Sequence, residues 1–331
     1  MKIQRNCLTA FMLLAAVLPF VVSDQYILHV AIIVMFYAVL ATSLNLVVGY
    51  VGEFSLGHTA FLGTGAYAAA LLSSQAGWPM WATIPAAGLC AAVMGTIIGA
   101  ITLRLHGPFF VIITLSFSEV LRLVANNWVA VTKGPMGIAG VPQPAFLAQV
   151  DSLAGKHFYY AIAWLLLALA LYLAYRFVNS NAGRAAVAIR ENRYVAQSVG
   201  IRPLNYSMMA LVLGAFLSGT AGGFYAHYIS FVGPEMFRFA FMVTMITMVL
   251  IGGKGTLIGP LVGALLVTFL EEYLREAQEL RLSLFGLIVI AIVLFMPNGI
   301  MGFVTRHREK REQNHVSPVA LSVNSTKRRS A

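Results

Sequence analysis

Charge is scarce in this sequence. Asp, Glu, Lys and Arg make up 10% of its 331 residues, against 59% hydrophobic residues. A soluble domain of that length cannot absorb so much apolar material in its core, so water is excluded as the solvent for most of the chain and lipid takes its place. Cysteine is nearly absent. Cys7 and Cys90 both lie inside apolar runs, which rules out a disulfide framework, a metal-ligand spacing and redox chemistry. Nucleotide-binding and catalytic signatures are missing as well. The Gly253-Lys254 pair is followed by Gly255 and lacks the upstream glycine of a P-loop, and there is no G-x-S-x-G, no H-E-x-x-H and no Cys/His cluster. The sequence therefore predicts a protein that is not an enzyme and has no cofactor of its own. Any energy source lies on another chain.

What is present is a succession of apolar runs long enough, as helix, to cross a hydrocarbon layer of about 30 Å, without the alternating ten-residue pattern of a membrane β-barrel. The fold class expected is an all-α polytopic membrane protein. Ten spans are predicted, at about 7–23, 26–50, 54–74, 80–103, 108–128, 157–178, 204–226, 239–252, 256–274 and 282–303. With both termini on the cytoplasmic side, sixteen of the 22 Lys and Arg fall on inner segments and five on outer ones, as the positive-inside rule requires. The net charge of +10 is thus explained by topology, and no nucleic-acid partner is implied. The third span is the least regular. Its entry GYVGEFSLGHTAFLGTGAY (49–67) is glycine-rich enough to suit a broken or re-entrant helix lining a cavity as well as a full span.

Lys2 and Arg5 ahead of the first apolar run also fit a cleaved signal peptide. Retention is the expectation, because cleavage would move the Arg-rich loop to the outside, against the charge bias. Residues 1–303 then form one transmembrane domain. It has a Gly- and Pro-rich outer loop at about 129–156 and an Arg-rich inner loop at about 179–203, and a basic tail over 304–331 lacks apolar periodicity and is predicted to be disordered.

Small residues recur at helix-turn spacing, as Gly95 and Gly99, Ser218 and Gly222, and Gly255, Gly259 and Gly263, which lets helices approach closely where lipid gives no drive to associate. Such ridges also suit a rocking interface. Glu119 and Arg122 stand three apart in the fifth span, on one helical face, as a structural ion pair or as part of a translocation path. His58, among Ser55, Gly57 and Thr59, reads as a hydrogen-bonded structural histidine or as a proton carrier. The acidic and basic residues at 271–281 have opposite charges at i,i+4, as Glu271 with Arg275, and read as a solvated helix end. In the inner loop, residues 185–199 are expected to form one short helix stopped by Gly200 and Pro203, suited to docking a cytoplasmic subunit.

Long motifs in order then show a resemblance. LNLVVGYVGEFSLGHTAFLGTGAY (44–67), RLHGPFFVIITLSFSEVLRLVANNW (104–128), TKGPMGI (132–138), GRAAVAIREN (183–192), GPEMF (233–237), GGKGTLIGPLVGA (252–264) and LFMPNGIMG (294–302) make the chain similar to the LivM-type permeases of branched-chain amino acid ABC transporters. The resemblance implies a multi-pass permease of the bacterial inner membrane. Its partners would be a second homologous permease, two cytoplasmic ABC ATPases that bind the ATP, and a periplasmic substrate-binding protein, with membrane lipid around it. Related permeases carry urea, short amides or aromatic compounds. The resemblance further implies that 183–201 is the ATPase-coupling loop, with Gly183, Arg184, Arg190, Glu191, Ala196 and Gly200 as its residues. Ala196 and Gly200 keep the small-x-x-x-Gly part of the general coupling motif, while Tyr194 and Val195 depart from its Glu-Ala start. Gly57, His58, Gly63 and Gly65, with Gly252, Gly253, Gly255 and Gly259, would be small-residue segments that change conformation. A stand-alone secondary transporter would need coupling-ion ligands in the spans, where Glu119 and Arg122 are the sole charged pair on offer, and a membrane enzyme would need a cluster of titratable residues that is not visible.

Overall fold

Asp24 begins the first long helix: its carboxylate accepts the Tyr26 amide at 2.7 Å, satisfying one of the first-turn N–H groups. The computed structural model describes residues 11–12, 15–19, 24–105, 107–144, 146, 151–274, 283, 286–287, 290, 294 and 299–302. Helix α1 (Gln25–Asn45) continues into a π turn (Leu46–Val51) that ends where Gly52 turns left-handed at φ 84°. Residues 52–57 are not helical, and α2 (His58–Ser74) follows. Next come α3 (Met80–Thr102), α4 (Pro108–Asn127), the short α5 (Val129–Thr132) and α6 (Ser152–Val178). Two short helices, α7 (Asn181–Glu191) and α8 (Arg193–Ser198), precede α9 (Pro203–Ile229), α10 (Phe239–Gly252) and α11 (Gly259–Tyr273). The one sheet among the described residues is a clasp of β1 (Ile138–Ala139) with β2 (Phe231–Val232), antiparallel, pairing Ile138 with Val232 and Ala139 with Phe231.

Among the described residues, five helices are long and apolar enough to cross a membrane: Gln25–Val51, Met80–Thr102, Pro108–Asn127, Leu153–Val178 and Pro203–Ile229. The third, eighth and ninth predicted spans are helices of 17, 14 and 15 residues. The first span is described only in part, and most of the tenth, with Arg275, Arg281 and the tail, lies outside the described residues. The sixth begins at Ser152, ahead of the predicted 157, because Ser152, Lys156 and His157 dilute hydropathy without opposing helix.

At the centre is α9, which packs on α3, α2, α1 and the π turn. It does so through its smallest residues. A Cβ on Gly219 would strike Ala91 and the Ala87 carbonyl of α3, one on Gly222 the Leu62 carbonyl of α2, and one on Gly65 the backbone of Gly219 itself. Close backbone approach of this kind replaces side-chain interdigitation where lipid supplies no hydrophobic force between helices. Gly95 and Gly99 meet Ala215, Met208 and Leu211 of α9 in the same way, and Gly263 meets Met248 of α10.

The third span resolves as a broken helix. Its first residue, His58, hydrogen-bonds Ser43 of α1 at 2.8 Å, and both flank Gly214, near the middle of α9. Helix α2 therefore starts inside the bundle, and the non-helical residues 52–57 lead into it. Gly57 lies against the Thr114 carbonyl of α4, where a side chain has no room.

Candidate functional site

Many of the arginines gather at one end of the bundle, and there α7 and α8 meet the break between α1 and α2. Residues 185–199 do not form the single helix expected. Asn192 adopts extended backbone (φ −158°, ψ 107°), and its side-chain oxygen accepts the amides of Tyr194 and Val195 at 3.0 and 3.1 Å, so it ends α7 and caps α8. Ser180 caps α7 through the Gly183 amide, and Gly183 is pressed on the carbonyls of Phe177 and Val178, which makes the turn out of α6 tight. The alanine face of α7 (Ala182, Ala185, Ala186, with Ile189) is buried.

Two arginines join these helices to the break. Gly49 sits in the last turn before Gly52, where helix carbonyls have no amide ahead of them. Its carbonyl accepts Arg190 Nη1 at 2.8 Å, the Arg190 stem packs on Gly52, and Nη2 of the same guanidinium pairs with Glu191 at 2.7 Å. Arg193 Nη1 meets Glu53 in the non-helical segment at 2.6 Å, with the side chains 19% and 13% exposed. A third link joins from the α10–α11 turn. Asn45 Nδ2 donates to the Thr256 carbonyl at 2.8 Å, and Asn45 Oδ1 accepts the Gly255 amide at 2.9 Å. Gly255, at φ 73°, comes so near the Arg190 guanidinium and the Gly49 carbonyl that a Cβ has no space. Gly252 and Gly253 lie against Gly259, where α10 folds back into α11.

The sequence pointed to Arg190, Glu191 and Gly255 here, but Asn45, Gly49, Glu53 and Arg193 were missed. One signal existed: Glu53 is the sole carboxylate between Asp24 and Glu119, set in a glycine-rich break. Arg184 pairs with Asn181 and takes no part in the junction. Outward from it, Tyr194, Val195 and Val199 are 81%, 59% and 70% exposed, an apolar knob beside buried Ala196, closed off by left-handed Gly200 at φ 86°.

Glu119 and Arg122 form the pair expected from their spacing, with Arg122 Nη2 at 2.5 Å from Oε1 and Nε at 2.9 Å from Oε2. They sit away from the buried stripe of α4 (Phe110, Thr114, Ser118, Ala125), on a face that also carries Ile112, Ser116, Leu123 and Asn127. Hydrocarbon is a poor neighbour for that face, because a carboxylate and a guanidinium at helix mid-length need protein or water around them. His58 is fully buried, and its ring packs edge-on to Phe61. Gly63 is held against the Phe237 ring. Glu271 and Glu272 accept from Thr244 and Tyr26 at 3.3 and 2.5 Å, the first contact half-buried and the second exposed. Among the described residues no group of three or more His, Cys, Asp or Glu is placed to hold a metal ion.

The family model described as "Branched-chain amino acid transport system / permease component" matches residues 26–296. The chain is 31% identical over 319 residues to the high-affinity branched-chain amino acid transport system permease protein LivM of Escherichia coli (strain K12), covering 90% of this chain and 75% of that one. The protein of the same description in Salmonella typhimurium is 30% identical over the same shares. The permease protein LivH of Escherichia coli (strain K12) is 24% identical over 296 residues, 80% of this chain and 91% of that one. No solved structure matches.

Proposed function

The chain belongs to the branched-chain amino acid transport system permease family, and on that premise we propose that it forms half of the translocation pathway of an ABC importer for leucine, isoleucine and valine. It is a transport subunit and not an enzyme. ATP is bound and hydrolysed by two separate cytoplasmic ATPases, a second homologous permease completes the pathway, and a periplasmic binding protein delivers the substrate. The chain sits in the bacterial inner membrane with ten spans and both termini in the cytoplasm.

The observation that carries the mechanism is the junction of Arg190 and Arg193 with Gly49 and Glu53. In this reading the knob of Tyr194, Val195 and Val199 seats in an ATPase. When the two ATPases close, α7 and α8 move with them. The displacement passes through the Arg190 and Arg193 contacts into the π turn and the start of the broken helix, and through Asn45 into the α10–α11 turn. Glycine-lined contacts of α2, α3 and α9 let the helices shift against one another, and the bundle changes the side to which the pathway shared with the second permease opens. Glu119 and Arg122 then face that pathway or the second permease, where their charges have polar surroundings.

The test is to purify a tagged copy of the chain in mild detergent, identify the co-purifying proteins by mass spectrometry, and reconstitute them in liposomes. A second permease and P-loop ATPases in the preparation, with leucine uptake that requires ATP, is the expected result. Purification of the chain alone, with transport driven by a proton gradient, overturns the reading.

A further inference from the structure

Beside the junction, at the same end of the bundle, a cleft of about 720 Å³ opens between the end of α3 and the start of α9. Its walls include Leu103, Arg104, Ile201, Arg202, Leu204 and Asn205. Arg104 and Arg202 are exposed, and among the described residues neither has a carboxylate within ion-pair distance, whereas Arg193 at the cleft's edge is occupied by Glu53. Pro203 begins the 27-residue α9 here, so the amides of its first turn add partial positive charge to the same spot. Topology alone asks only that arginines lie on this side. It does not ask for two uncompensated guanidinium groups facing one cleft whose lining also includes Leu103, Ile201 and Leu204.

From this arrangement we infer a binding site for the phosphate of an anionic phospholipid, held by Arg104 and Arg202. The phosphate chemistry is that of a bidentate guanidinium acceptor. The source is a lipid because the cleft is continuous with apolar surface. Ile101 and Ile97, one and two turns back along α3 from Arg104, are exposed and follow Val93 and Leu89 in a stripe that acyl chains can lie along. A free phosphate ion has no use for that stripe. Basic pockets where helices leave the membrane on its positive side are where anionic headgroups bind. The inference is independent of the transported substrate.

The experiment is native mass spectrometry of the full chain in detergent, titrated with phosphatidylglycerol and, separately, with phosphatidylcholine, for the wild type, the double variant Arg104→Gln/Arg202→Gln and the control Arg238→Gln at the opposite end. Phosphatidylglycerol adducts are expected to outnumber phosphatidylcholine adducts in the wild type and the control. In the double variant their affinity falls about 30-fold, since each arginine near a membrane surface contributes about a fivefold factor, while phosphatidylcholine adducts stay the same and report an intact fold. Equal binding of the two lipids, or unchanged phosphatidylglycerol binding in the double variant, overturns the site. Displacement of phosphatidylglycerol by millimolar inorganic phosphate alone overturns the lipid as its source and leaves a soluble-anion site. Loss of ATPase co-purification from the double variant with lipid binding unchanged overturns it in favour of an acidic surface on the cytoplasmic partner.

Discussion

Replacing Arg193 by Gln takes away the guanidinium that faces Glu53 at 2.6 Å, and the consequence can be sized. At an effective dielectric of about 20 the gross attraction at that distance is about 6 kcal/mol. Desolvation offsets most of it. Exposed pairs contribute up to about 1 kcal/mol, and loss of one partner of a fully buried pair costs about 3–5 kcal/mol. With side chains 19% and 13% exposed, the Arg193–Glu53 contact falls between these limits, at about 2 kcal/mol. If the contact is made in one conformation of the transport cycle and not the other, its loss shifts their ratio about 30-fold, at 1.4 kcal/mol per factor of ten. The assay measures leucine uptake and phosphate release together in proteoliposomes holding the assembled complex. Arg193→Gln and Glu53→Gln are each expected to lower uptake per ATP about tenfold or more, with the complex still assembled and ATP still hydrolysed. The double variant Glu53→Gln/Arg193→Gln should lose much less than the product of the two single losses, because it leaves no unpaired charge. Single effects that multiply in the double variant, or unchanged uptake in Arg193→Gln, refute the reasoning.

Arg190→Lys keeps the charge, but a single ammonium cannot serve the Gly49 carbonyl and Glu191 as the guanidinium does, so uptake should fall several-fold with normal abundance in membranes. Glu119→Ala and Arg122→Ala should each abolish uptake while immunoblots show the wild-type amount of protein; lost abundance would leave the pair a structural role only. Gly219→Val forces a branched side chain into Ala91 and the Ala87 carbonyl, a strain of about 1–3 kcal/mol or more, and should appear as a lowered unfolding temperature and reduced membrane levels. Tyr194→Ser combined with Val199→Ser should reduce ATPase co-purification without altering the unfolding temperature of the chain itself, since both side chains are exposed.

Much of the helix plan was legible because apolar length is a direct record of membrane thickness, and Gly, Pro and Arg mark the exits. The starts of α3, α4, α9 and α10 fall within about a residue of where hydropathy and proline put them. Two places were not legible, each for its own reason. Asn192 divides α7 from α8 by a local side-chain hydrogen bond, and an asparagine amid helix formers carries no hydropathy signal. The junction itself joins residues more than 130 positions apart, Glu53 with Arg193 and Gly49 with Arg190, and no spacing rule reaches that far. Glu119 and Arg122 were visible because three residues on a helix is a spacing that sequence can express.

The π turn over Leu46–Val51, closed by the Gly52 amide on the Val47 carbonyl at 3.0 Å, winds in more residues than an α-helix would use for the same stretch. That surplus has a genetic consequence. Deleting one residue between Asn45 and Gly52 would let the segment relax to α-helix, and because the residue removed is the surplus one, the chain downstream would keep nearly its register. What would be lost is the widened turn that presents the Gly49 carbonyl to Arg190. Point changes are less easily absorbed, since Leu46, Val47, Val48, Tyr50 and Val51 are buried and a side chain at Gly49 would strike Asn45 and Gly255, so the stretch should bear the loss of one codon better than a bulky residue at 49.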